Sequence, residues 1–95
     1  MFWGTVLQQG NTLNLASLSH QGDILHLSHI NLNHLNVKGN TTVFLLKEGQ
    51  KLPLAQLNDK NHSVTLDLYF STGDSSVFTV QGEGLVSLLG YFPPR

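Results

Sequence analysis

The chain has 95 residues, no cysteine and a formal net charge of −1, with five basic against six acidic residues. This composition excludes disulfides, cysteine-based zinc sites and thiol chemistry, and it offers no basic stripe for a phosphate backbone, so we expect no direct nucleic-acid binding. The first residues do not resemble a signal peptide, and no apolar run approaches the length of about 20 residues that a membrane-spanning helix needs. We therefore expect a soluble intracellular protein without membrane contact.

The low charge of the chain is its most informative bulk property. Asp, Glu, Lys and Arg make up 12 % of the residues, against roughly 25 % in an average globular protein. Neutral surfaces resist self-association poorly. We therefore expect residues 1–95 to form a single domain whose surface is partly covered by identical copies. The alternative is a neutral monomer.

Apolar residues recur with a period of two along almost the whole chain, which is typical of half-buried strands. In the clearest case, Val64, Leu66, Leu68 and Phe70 alternate with more polar residues. We see no convincing helical spacing. The pattern predicts seven or eight short strands, as in a sandwich or jelly roll, over residues 2–8, 12–15, 24–37, 43–48, 51–57, 64–70, 76–80 and 85–91.

Four details of the sequence are predictions in themselves. The apolar phase slips within residues 24–37, so we expect β-bulges there and a strand that crosses from one sheet to another. Residues 43–48 and 51–57 read as a hairpin closed around Gly49 and Gln50. Pro53 cannot donate to a strand ladder and therefore belongs at a sheet edge or a bulge. Trp3 is expected to anchor the first strand in the core.

The sequence offers no convincing catalytic, cofactor or metal site. His26, His29 and His34 fall in the long bulged strand, where His26 and His29 point apart unless a bulge intervenes, and Asp23 is the acid nearby. We interpret them as surface or interface histidines, with a pH-responsive interface as a further hypothesis. No Gly-x-Ser-x-Gly elbow or phosphate-binding fingerprint is present, and the carboxylates are dispersed. We expect no enzymatic activity from this domain.

Four segments, taken in order, resemble the nucleoplasmin-like family. They are Phe2-Trp3-Gly4, Leu25-His26-Leu27-Ser28, Leu66-Asp67-Leu68-Tyr69-Phe70 and Gly84-Leu85-Val86-Ser87-Leu88-Leu89-Gly90-Tyr91. Order and spacing agree over nearly the whole chain. The likeness is greatest to the N-terminal domains of nuclear immunophilin-type prolyl isomerases and of plant nucleolar histone deacetylases. These domains begin with the same Phe-Trp-Gly and end with a segment similar to Ser-Leu-Leu-Gly-Tyr.

The resemblance implies an all-β, eight-stranded antiparallel jelly-roll sandwich that forms a cyclic pentamer. It also implies histone-chaperone or scaffolding work in the nucleus, and within it the nucleolus. Strand alternation places Phe44, Leu46 and Tyr69 opposite the core, which makes them the candidates for the subunit interface.

The sequence departs from classical nucleoplasmins at two places. The hairpin Lys47-Glu48-Gly49-Gln50-Lys51 lacks their acidic tract, so we expect contacts with histones or other nuclear proteins mainly through segments outside this chain. The region Asn36-Val37-Lys38-Gly39-Asn40 does not match the loop that joins two pentamers. A pentamer rather than a decamer is therefore expected.

Two alternatives remain open from the sequence. In the first, this is the N-terminal domain of a nuclear prolyl isomerase or histone deacetylase whose catalytic part is absent here. In the second, the jelly roll binds a small ligand or a carbohydrate, as it does in lectins. The few aromatic residues expected at the surface argue mildly against carbohydrate binding.

Overall fold

The computed structural model describes residues 2–33 and 39–94. In this part of the chain the strands are β1 Phe2–Leu7, β2 Thr12–Asn14, β3 Ile24–Leu32, β4 Thr41–Lys47, β5 Gln50–Leu57, β6 Ser63–Ser71, β7 Val77–Gln81 and β8 Val86–Tyr91. One turn of 3₁₀ helix, Leu15–Leu18, follows β2. None of the described helical residues forms a segment that could span a membrane.

The strands form two antiparallel four-stranded sheets. Sheet A has the order β1-β8-β3-β6 and sheet B the order β2-β7-β4-β5. Neighbouring strands in each sheet are mostly distant in sequence, as in a jelly roll. The prediction of an eight-stranded all-β sandwich is confirmed.

The core lies between the two sheets, because the alternation of each strand turns its apolar residues inward. The fully buried side chains include Leu25, Leu27 and Leu88 from sheet A and Val43 and Phe78 from sheet B. Trp3 and Phe92 close one end of the core with their rings edge to face at 6.5 Å. Trp3 is thus a core anchor, as predicted.

The structure corrects one local prediction about the β4–β5 hairpin and confirms another. The turn of the β4–β5 hairpin is formed by Glu48 and Gly49, which both have positive φ (52° and 78°), rather than by Gly49 and Gln50. A two-residue hairpin turn with positive φ at both positions matches the twist of the flanking strands. Pro53 lies on the edge strand β5 next to a register shift, as expected.

Strand β3 differs from the prediction in a way that matters for the surface. It lies within sheet A over all of Ile24–Leu32, and residues 34–37, the part of the predicted strand in which a crossing to the other sheet would have to follow, lie outside the described residues. The expected bulge is present, between Leu27 and His29. Because the bulge inserts one residue, His26 and His29 both point to the outer face of sheet A.

Candidate functional site

The outer face of sheet A, which we call the aromatic face, carries most of the large hydrophobic side chains that are exposed in the described part of the chain. It carries Phe2, Val6, Ile24, Tyr69 and Tyr91, with Phe2 75 % and Tyr69 61 % exposed. Among the described residues only one more large hydrophobic side chain, Leu52 on the edge strand β5, is comparably exposed. Clustering of this kind on one face of a small domain marks an interaction site.

Four rings cross the aromatic face in a single row, one from each strand of sheet A. The register pairs Phe2 with Tyr91, Tyr91 with His26, and His26 with Tyr69. The His26 ring lies between the two tyrosine rings, with a centroid distance of 4.6 Å on each side. Cross-strand aromatic pairs stabilise a sheet, and this row spans its full width.

His26 is buried although it points away from the core. Its residue exposure is 8 % because Tyr69 and Tyr91 cover both sides of the ring. Its Nε2 lies 2.5 Å from Oδ1 of Asp67, whose side chain is 83 % exposed. Nδ1 is buried and has no hydrogen-bond partner among the residues that the structure describes. A neutral ring protonated at Nε2 satisfies this arrangement, since it donates to the carboxylate and leaves only a lone pair at Nδ1.

The packing of this ring leads to a prediction for His26→Phe and His26→Ala. Phenylalanine keeps a ring between the two tyrosines and removes the unpaired Nδ1, so the free energy of unfolding should stay within about 1 kcal/mol of wild type. Alanine leaves a gap between them and should cost about 2 kcal/mol or more. Urea unfolding at one fixed subunit concentration measures both. Equal losses for the two variants would instead assign the role of His26 to its hydrogen bond with Asp67.

Tyr69 remains a neutral phenol around neutral pH. The neighbouring Tyr91 raises the pKa of Tyr69 above its ordinary 10.0, and desolvation and the Asp67 carboxylate raise this pKa further. Tyr69 therefore lies on the aromatic face as an uncharged side chain with an apolar ring and a polar hydroxyl, and tyrosines of this kind are common at protein interfaces.

The outer face of sheet B, which we call the lysine face, carries a smaller apolar patch. Phe44, Leu46 and Val77 are half-buried there, and Leu46 is paired with Val77 across the β4–β7 ladder. Nζ of Lys51 lies 4.3 Å from the centroid of the Phe44 ring and donates to Oε1 of Gln81 at 3.3 Å. The ammonium group is thus held over the apolar patch by a cation–π contact and a hydrogen bond.

Charge is divided between the two sheets. Within the described strands of sheet A, Asp67 is the single residue among Asp, Glu, Lys and Arg, whereas the strands of sheet B contain Lys47 and Lys51 and no acid. Lys47 is paired with Asp74 at 3.2 Å. No acidic side chain pairs with Lys51 among the described residues.

The structure places the three predicted interface residues on opposite sides of the sandwich. Phe44 and Leu46 lie on the lysine face and Tyr69 lies on the aromatic face, all pointing away from the core as the alternation predicted. Sequence reasoning missed Phe2 and Tyr91, although alternation with the buried Trp3 was a signal for Phe2. The expectation of few surface aromatics was wrong.

The histidines do not form a metal site in the part of the chain that the structure describes. His29 contacts Oγ of Ser63 at 2.7 Å, and His34 lies outside the described residues. Residues 2–33 and 39–94 contain no group of three or more metal-ligating side chains.

Comparison with known protein families gives a match over most of the chain. A model of the nucleoplasmin-like domain matches residues 2–93. The chain belongs to the nucleoplasmin-like domain family. No curated protein sequence matches it.

Solved structures agree with this assignment of the nucleoplasmin-like domain. The nucleoplasmin-like N-terminal domain of Drosophila FKBP39 is 29 % identical with a TM-score of 0.78, and the match covers 100 % of this chain and 90 % of that one. The Drosophila NLP core has the same fold, with 18 % identity, a TM-score of 0.78 and coverage of 100 % and 98 %. Its structure is described as giving insight into pentamer formation and histone binding by that protein.

Proposed function

We propose that this nucleoplasmin-like domain is a non-catalytic module that assembles into a pentameric ring and serves a nuclear, nucleolar protein in a histone-chaperone-like role. The observation that carries the proposal is the aromatic face, which holds five of the six large hydrophobic side chains that are exposed in the described part of the chain. Leaving this surface in water is unfavourable, and covering it with a second copy removes it from water.

The proposal gives each candidate interface residue a role. Tyr69 lies in the row of rings on the aromatic face, and Phe44 and Leu46 form the apolar patch of the lysine face. A ring needs two different contact surfaces on each subunit, since every copy meets one neighbour on each side. Two apolar surfaces on opposite sheets meet this requirement, whereas one surface alone supports a dimer.

Solution mass tests the proposal directly. Sedimentation velocity at micromolar concentration should give a species of five times the 10.5 kDa chain mass. Material that sediments at the mass of one chain would contradict the proposal.

Binding of core histones to this domain alone should be weak, because the described strands carry a single acidic residue. It should weaken further from low to moderate salt, because salt screens the attraction between exposed charges.

A second candidate concerns the protein of which this domain is a part. The similarity to an N-terminal domain of FKBP39 favours a longer polypeptide in which a catalytic segment, of prolyl isomerase or deacetylase type, follows a single domain over residues 1–95. The sequence of the parent transcript decides between an enzyme and a pure scaffold. In both cases the role of this domain is assembly.

A further inference from the structure

We propose that the aromatic face of one copy packs on the lysine face of the next, with Asp67 and Lys51 as an ion pair across the contact. This inference rests on the proposed self-association and names which two surfaces meet. Its occupant is a second copy of the chain, because the two faces of one molecule complement each other in both charge and apolar character.

The charge argument follows from the partition between the sheets. The single charged residue on the described strands of sheet A is acidic, and the charged residues on those of sheet B are two lysines, of which Lys47 already has an acidic partner. Contact between two aromatic faces would bring two Asp67 carboxylates together, and contact between two lysine faces would bring two Lys51 ammonium groups together. Like-charge contacts are unfavourable, so contact between an aromatic face and a lysine face is favoured over contact between two identical faces.

The local geometry of both groups favours this contact. The Asp67 carboxylate is exposed and fixed by His26 beside the Tyr69 ring. Lys51 is held over Phe44 rather than extended into solvent. Each charge thus stands at the margin of an apolar patch in a fixed position, so that little side-chain freedom is lost when the two meet.

Charge exchange tests the pairing. Asp67→Lys places a cation opposite Lys51, and Lys51→Glu places a carboxylate opposite Asp67, so each single variant should weaken assembly about tenfold or more. The double variant Asp67→Lys/Lys51→Glu restores an attractive pair with reversed sign and should assemble close to wild type. Sedimentation over a concentration series measures the subunit dissociation constant, and high salt should weaken the wild-type assembly while it partly relieves the single variants.

A matched control is available in the β5–β6 connection. Asp59→Lys and Lys60→Glu make the same changes in charge at exposed positions away from both faces, and they should leave assembly unchanged. If the control variants assemble and the double variant is as weak as the two singles combined, the pairing is wrong while self-association stands. If Asp67→Lys leaves assembly intact and abolishes only histone binding, the carboxylate serves a basic ligand and the inference is overturned. A wild-type monomer would overturn the proposed function itself.

Discussion

Gly90→Ala is expected to unfold the domain or to reduce its free energy of unfolding by at least about 3 kcal/mol. A Cβ atom on Gly90 would lie 2.1 Å from the carbonyl oxygen of His26 and 3.1 Å from its carbonyl carbon. Both are backbone atoms of β3, so they cannot move away without disrupting the β3–β8 ladder in the centre of sheet A. Since domains of this size are stable by roughly 5–15 kcal/mol, such a loss is a large share of the total.

Urea unfolding followed by circular dichroism measures this effect, and Gly73→Ala is the matched control. A Cβ atom on Gly73 would meet only the Ser71 hydroxyl, at an ordinary 3.5 Å, so that variant should unfold close to the wild-type midpoint. If Gly90→Ala unfolded at that same midpoint, β8 would be able to move away from β3 without loss of stability, and the close approach of the two backbones would not need a glycine.

Gly90 also connects the fold to the proposed interface. It is the neighbour of Tyr91 and the cross-strand partner of Leu27, and its missing side chain lets β8 approach the backbone of His26. That approach brings the Tyr91 ring to 4.6 Å from the His26 ring. Gly90 and Tyr91 at the end of β8 therefore act together, since the glycine allows the close approach that places the tyrosine in the row of rings.

The sequence was sufficient to predict the fold class and the direction of many side chains. In β6, the alternation of Leu66 and Leu68 with Asp67 and Tyr69 is strong enough to assign the inner and outer faces, because strand side chains alternate with a period of two. Pro53 was equally informative, since a residue without an N–H is confined to an edge or a bulge. These are local signals that need no knowledge of strand pairing.

Strand order was not accessible from the same signals. The row of rings depends on β1 pairing with β8 and on β3 lying between β8 and β6, and these contacts join strands that are far apart in the sequence. The burial of His26 follows from its two tyrosine neighbours and not from its own strand. His29 shares a face with His26 because the bulge inserts a single residue between Leu27 and His29. The periodicity of the sequence located the bulge but did not show how many residues it inserts.

Mixing two assembly-deficient variants is expected to produce a dimer and nothing larger. Tyr69→Arg introduces a cation into the row of rings on the aromatic face, and Leu46→Arg introduces a cation into the apolar patch of the lysine face. Each variant alone should remain a monomer, since truncation or charging of a central interface residue costs about 2 kcal/mol or more, roughly a 30-fold loss in affinity per contact.

In the mixture, Tyr69→Arg still offers an intact lysine face and Leu46→Arg an intact aromatic face. One undamaged contact can therefore form, giving a complex of two 10.5 kDa chains that is blocked at both ends. Native mass spectrometry resolves this species, and Gln8→Arg, which adds the same charge in the exposed β1–β2 turn, should assemble like wild type. A symmetric contact between two aromatic faces predicts instead that Leu46→Arg dimerises alone, while a pentamer formed by either variant alone would mean that its substitution lies outside the interface. Only a head-to-tail contact between unlike faces yields two inert monomers that combine into one dimer.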